Sequence, residues 1–260
     1  MSAIDPRAVI APSARVAEGV RVAAFAVIGD AVELGEGCVV DHHAVLTGPS
    51  SFGRNNHFSS FSIVGGDPQD YTYTGQKVRL EVGDSNQFRE FCTVHRGTVK
   101  GGGVTRVGSH NLIMAYAHVG HDCVIGDHCT IINGAQLGGH THVGDYATIS
   151  SFVLVHQFSR IGCHSYIGAG TVITQDVPPF SLVVGSRETG CYGINRVGLE
   201  RQGFSPERIQ TIEQAYRFLL RSKLNKAQAV EKMRGTLLGS ADVQALIQFI
   251  ESVTERGLTK

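Results

Sequence analysis

The sequence predicts a mainly β chain, a parallel β-helix of hexapeptide repeats followed by a small α-helical C-terminal domain. Three observations predict it. A bulky apolar residue returns every sixth position: Ile10, Val16, Val22, Ile28, Leu34, Val40, Leu46, Phe52, Phe58 and Val64, then Val82, Phe88 and Val94, then without a slip from Val107 to Ile173. That period fits neither a helix nor an alternating strand and marks a repeat architecture. The next residue is often Gly, as at Gly29, Gly53, Gly108, Gly120, Gly138 and Gly168. The residue four places on is small, as at Ala26, Cys38, Cys92, Ala117, Cys123, Cys129 and Ala147. Each hexad therefore reads as a short strand and a corner, and three hexads as one triangular coil. The aliphatic fills the interior and Gly relaxes the corner. Successive coils stack at the strand spacing of about 4.8 Å.

The coil is expected over residues 1–186, with its beat running from Ile10 to Val184. Two polar, Gly-rich segments interrupt the beat and read as protruding loops, at 65–80 and 96–106. Long loops on a rigid scaffold are common places for binding. After Pro178-Pro179 the beat stops, and residues 187–260 read as a helical domain. Ser205-Pro206-Glu207 supplies an N-cap, a proline at the first helical position and an acidic first turn. A second helix is expected from Asn225 to Leu238, and a third from Ser240 carrying Val243, Leu246, Ile247, Ile250 and Val253. Such a cap would cover the unpaired strand edges at the end of the coil.

Charged residues are 18% and the formal net charge is zero, so no nucleic-acid partner is expected. From Arg187 onward, 12 Lys/Arg face 8 Asp/Glu, a net of +4 that suits an acidic partner or an ordinary solvated surface. The six Cys include no CxxC pair, and four of them fall on the small interior position. No disulfide framework, no signal peptide and no membrane-spanning run are read, which predicts a cytoplasmic protein. No cofactor is expected.

In an unbroken coil, residues 18 positions apart stack. His121 then lies beneath Gly139 and Gln157, Asp122 beneath His140, and Gly138 beneath His156. His118 sits three residues before His121. A neutral His can serve as a general base, and a Gly N–H one strand away can serve as an oxyanion donor. Together they suit acyl transfer to a hydroxyl or amine. The alternative for these His is a surface ladder, which is the reading for His42, His43, His57, His110, His128 and His164. A zinc site shared between subunits, using His118, His121, His140 and His142, is a further alternative, although no metal is expected.

The stretches VHRGTV (94–99), NLIMAYAHVGHDCVIG (111–126), VHQF (155–158), QDVPPF (175–180) and NRVGLERQGF (195–204) resemble the UDP-N-acetylglucosamine O-acyltransferases that begin lipid A synthesis. PQDYTYTG (68–75) resembles that family's sugar-binding loop. The resemblance covers essentially the whole chain. It implies a left-handed coil, where parallel crossovers in general are right-handed. It implies a homotrimer with sites between subunits, a UDP-sugar acceptor, and an (R)-3-hydroxyacyl donor on acyl carrier protein. By the same resemblance His121 is the catalytic base, Asp122 its supporting acid and Gly139 the oxyanion donor. Gln69, Asp70, His118, His140, His156 and Gln157 match positions holding sugar, phosphate or acyl chain. Asn195 and Arg201 match tail residues near nucleotide or phosphopantetheine, and Ala169 matches the position limiting acyl length. Thr72 stands where the family's loop carries Lys, Val197 where it has Glu, and Gln202 where it has a second Arg. A 3-amino sugar nucleotide, coenzyme A as donor, or a non-catalytic trimeric scaffold are the competing readings.

Overall fold

The computed structural model describes residues 3–185, 189–252 and 255–259. Short strands, most of two residues, build three sheets of 11, 9 and 8 strands. The chain visits the three in rotation, so each sheet is one face of a triangular prism. All pairings are parallel except the last, where Ser181–Val184 meets Gly190–Ile194 antiparallel. The coil is left-handed. The first face runs from Ala3–Ile4 to Gly190–Ile194, the second from Val9–Ile10 to Val172–Ile173, and the third from Arg15–Val16 to Arg160–Ile161. The coil thus begins one hexad earlier than the beat suggested and gains an antiparallel strand beyond Val184.

The periodic aliphatics form one continuous interior, with Ile28, Val40, Leu46, Ile113, Ile131, Leu137, Ile149, Ile167 and Ile173 all at 0% exposure. Ile10 and Val16 are only partly buried, because they lie in the coils nearest the open end. Cys38, Cys92, Cys123 and Cys129 are buried free thiols, and burial pushes Cys123 up to about 12, so it packs as a neutral small residue.

The role read for the repeating Gly needs correction. Gly120, Gly126 and Gly138 do not occupy the left-handed region; a side chain there would meet the backbone of the next coil, at 2.8 Å from Leu137 O in the case of Gly120. They are required by close stacking. The left-handed residue is two positions further on and is usually large, including Phe61, Phe91, Tyr116, Asp122, His128, His140 and Tyr146. From there the side chains stack in ladders down two corners, Phe25–His43–Phe61–Phe91–Tyr116 and His110–His128–Tyr146–His164.

The two interruptions are insertions of different length. Phe52 pairs with Val82 and Val64 with Val94, 30 residues apart instead of 18. Val82 pairs with Val107 and Val94 with Val119, 25 apart. Both loops are shorter than the sequence suggested, because strands Arg79–Val82 and Val104–Val107 extend into them and bury Leu80, Val104 and Thr105. Across these insertions a ladder of fully buried amides keeps the register. Asn86 donates to Asn56 Oδ1 and Gly108 O, Asn111 N–H donates to Asn86 Oδ1, and Cys129 N–H to Asn111 Oδ1.

Among the described residues four α-helices follow: α1 (Arg196–Arg201), α2 (Pro206–Tyr216), α3 (Lys226–Leu237) and α4 (Ala241–Glu251). Ser205, Asn225 and Ser240 cap the last three, Asn225 within a capping box. α1 was not foreseen, since six residues carry no periodic signal; Val253 lies outside the described residues. A second core of Phe180, Leu199, Ile212, Met233, Leu246 and Ile250 seats these helices on the last coil. Arg160 fastens the seam by bonding the buried Asp176, reaching Ser252 Oγ at 3.1 Å and stacking on Phe249.

Candidate active site

The corner between the second-face strand His118–Val119 and the third-face strand Val124–Ile125 holds the chemistry. Asp122 adopts φ +60° at this corner, and its N–H donates to Thr105 Oγ1 at 2.7 Å. Its carboxylate is almost fully buried, at 1% exposure, yet completely engaged. Thr98 N–H donates to Oδ1 and Thr98 Oγ1–H to Oδ2, each at 2.7 Å, and His121 Nδ1 lies 2.8 Å from Oδ2. A carboxylate only accepts, so in the neutral ring Nδ1 carries the proton and Nε2 the lone pair. His140, on the rung above, places Nε2 3.5 Å from the same oxygen and stacks on Phe158.

Gly139 sits over the His121 ring. A Cβ there would lie 2.6 Å from Cε1 and 2.8 Å from Nε2, so only glycine lets the imidazole occupy this place. Its neighbours His140 and Gly138 both donate backbone bonds, but Gly139 N–H has no acceptor among the described residues. A base with a free lone pair and an unused backbone donor thus share one spot.

Further imidazoles surround it. Burial pushes His118 down to about 4, with His95 and His121 adding repulsion, and its Nδ1 lies 2.8 Å from Thr93 Oγ1. Burial likewise lowers His140, with Asp122 opposing and His121 reinforcing. These rings are neutral at pH 7 and add no cation beside the base. Asp70, on the loop after strand Ile63–Gly66, is within electrostatic reach of His121 and Lys100. Hydrogen bonds from the Thr72 hydroxyl and N–H lower its pKa, so Thr72 orients the carboxylate where a Lys was expected by resemblance. Gln69 beside it is exposed. His156 and Gln157 sit one rung higher, both exposed, with His156 Nδ1 2.9 Å from Gln157 O. A cleft of about 800 Å³ lined by His140, His142, Phe158 and Arg160 opens beside this corner.

Three expected site residues lie elsewhere on the chain. Asn195 caps α1 and bonds His164 O at 3.0 Å. With Arg201 it lines a separate cleft of about 670 Å³ against Thr148, Tyr166 and Leu182 of the first face. Ala169 is exposed at the corner joining the first and second faces, not on the rungs above His121. A path along the coils from His121 therefore does not reach it within one chain. Of the four His weighed for zinc, His118 and His142 stay apart from the one group of adjacent potential ligands among the described residues, His121, Asp122 and His140. Thr98 and Thr105 were missed by sequence reasoning, because they lie in the segment where the beat is off register.

Repeat coil and corner together define a hexapeptide-repeat transferase, and the model for bacterial transferase hexapeptides (six repeats) matches residues 104–139. The model for UDP N-acetylglucosamine O-acyltransferase, domain 2, matches 176–259. The chain is 46% identical over 260 residues, all of both chains, to the acyl-[acyl-carrier-protein]–UDP-N-acetylglucosamine O-acyltransferase of Halorhodospira halophila. It is 44% identical to the one of Syntrophobacter fumaroxidans, covering 99% of each chain. Among solved structures, the UDP-N-acetylglucosamine acyltransferase of Francisella novicida superposes with a TM-score of 0.95 at 37% identity, over 98% of this chain and 93% of that one. The chain belongs to the acyl-[acyl-carrier-protein]–UDP-N-acetylglucosamine O-acyltransferase family.

Proposed function

We propose that the chain moves an (R)-3-hydroxyacyl group from acyl carrier protein to the 3-hydroxyl of UDP-N-acetylglucosamine, with His121 as general base. The observation that carries the mechanism is the pairing of a tautomer-fixed His121 with the unused N–H of Gly139. His121 Nε2 takes the proton of the sugar hydroxyl as its oxygen attacks the thioester carbonyl. Gly139 N–H receives the negative charge that develops on the carbonyl oxygen. Collapse expels the thiolate of the carrier's arm, which takes up from the imidazolium the proton that the sugar hydroxyl gave. Asp122 remains a carboxylate and stabilises that imidazolium.

The site is completed between neighbouring copies in a homotrimer. Asn195 and Arg201, matched to nucleotide or phosphopantetheine positions, line a first-face cleft while His121 lies at the junction of the second and third faces. Ala169, at yet another corner, borders the acyl chain only if a second copy presents it.

Product analysis tests the reading. Purified protein is offered UDP-N-acetylglucosamine or its 3-amino counterpart with a series of 3-hydroxyacyl carrier proteins, and products are identified by mass. Ester at the 3-position is the expected product. Amide formed in preference, or transfer from coenzyme A alone, would overturn the assignment of acceptor or donor.

A further inference from the structure

The second insertion is short, at seven residues beyond a normal hexad, yet it supplies the most complete set of contacts to the catalytic acid. We propose that Thr98, at 4% exposure, is a positioning residue that fixes Asp122 and, through it, the working tautomer of His121. The inference rests on the function proposed above.

Its geometry is a directed chain of hydrogen bonds. Gly101 N–H donates to Thr98 Oγ1 at 3.2 Å, which turns the hydroxyl proton outward. That proton goes to Asp122 Oδ2, and the same oxygen accepts from His121 Nδ1. Thr98 N–H holds the other oxygen, so the carboxylate plane has no freedom to rotate. Gly101 lies against this carboxylate so closely that any side chain would run into it. The loop is therefore shaped around Asp122. Without the Thr98 hydroxyl, Oδ2 is left to His121 and to the more distant His140, which then compete for it. Some of the population would hold His121 in an unproductive orientation.

Positioning predicts a specific kinetic signature. Thr98 is buried with its hydroxyl and N–H turned to Asp122, so Thr98→Val should lower kcat about tenfold or more, the scale of one lost hydrogen bond to a charged group, with acceptor KM changed less than about twofold. Thr98→Ser keeps the hydroxyl and should retain most of kcat. In an Asp122→Ala background, Thr98→Val should have no further effect, because the partner through which it acts is gone.

The test is this cycle of four proteins plus the Ser variant, assayed with acyl carrier protein donor and UDP-N-acetylglucosamine, with melting temperatures recorded. A lower kcat in Thr98→Val, rescue by Ser and non-additivity with Asp122→Ala support the proposal. Full activity in Thr98→Val while Asp122→Ala is impaired overturns it, as does a Ser variant as impaired as Val, or independent additive losses. If Thr98→Val fails to fold, Thr98→Ala takes its place in the cycle under the same criteria. Wild-type protein without transfer, or Asp122→Ala with full transfer, would instead strike at the proposed function itself.

Discussion

In the proposed mechanism His121 and Gly139 work as a pair because one lies on the other. This juxtaposition was legible in the sequence, since from Val107 to Ile173 the beat never slips and a separation of 18 becomes one rung. Thr98 was illegible for the converse reason: it lies where 25 residues separate paired strands, and no fixed period maps it onto Asp122. Gly139→Ala should test the pairing at the residue scale. The methyl would meet the His121 ring at 2.6 Å, so the imidazole must leave its place. Turnover should fall about 10²–10³-fold, the scale of a lost oxyanion donor or a misplaced base. The corner is half-exposed, so the melting temperature should change little; unchanged turnover in an assay of this variant would mean that the ring does not work from this position. Ala169 tests another single side chain. If a neighbouring copy presents it to the acyl tail, Ala169→Met shifts a donor series toward shorter chains and Ala169→Gly toward longer ones. The shift should be graded, as a methyl discriminates by only about 1–3 kcal/mol. One length profile for all three proteins would remove Ala169 from the acyl path.

At the scale of elements, the hexapeptide beat specified strands, corners and interior, but it was silent on how the two insertions keep register. The buried Asn56–Asn86–Asn111 ladder does this, at the small position where the repeat elsewhere has Ala or Cys. Asn is not apolar, so a pattern of hydrophobicity passes over it. Arg96 plays the matching part for the first protruding loop. Its buried guanidinium bonds Gly48 O, Gly65 O and the Asp67 carboxylate, binding the loop that carries Asp70 to the coil. Asn86→Ala should strand the Asn111 N–H and the Gly108 carbonyl in the interior. Each unsatisfied group costs about 1–3 kcal/mol, so thermal melting should shift down clearly. A variant that melts with the wild type would show that the ladder is not what holds the insertions. The role of the repeating Gly was misread for a related reason: composition gives a residue's smallness but does not say whether the backbone angle or the next coil requires it.

For the whole molecule, burial fixes the sign of one pH effect. His95, His118, His140, His142 and His164 are all held below the ordinary imidazole range, each chiefly by burial. For such groups the unfolded chain binds more protons than the folded one between the two pKa values. Stability is complete above the unfolded value of about 6.5 and is lost as pH falls toward the folded value, about 4 for His118. Melting temperature should therefore fall from pH 7 to pH 4.5, and His118→Asn should flatten the curve; a wild-type profile that is level over this range would contradict it. The assembly proposed here has its own consequence. His121→Ala and Arg201→Ala are each expected to be inactive, yet mixed trimers of the two should regain activity, because one interface joins an intact corner to an intact cleft. No recovery on mixing and re-forming the trimers would place both groups in the site of a single copy.

Everything proposed for the corner turns on His121 being the base of an acyl transfer to a sugar hydroxyl. Single-turnover transfer from 3-hydroxyacyl carrier protein to UDP-N-acetylglucosamine, compared between wild type and His121→Ala, tests it most directly. The expected rate is about 10²–10⁴-fold lower in the variant, with nucleotide binding and oligomeric state retained. Equal rates in the two proteins would contradict it.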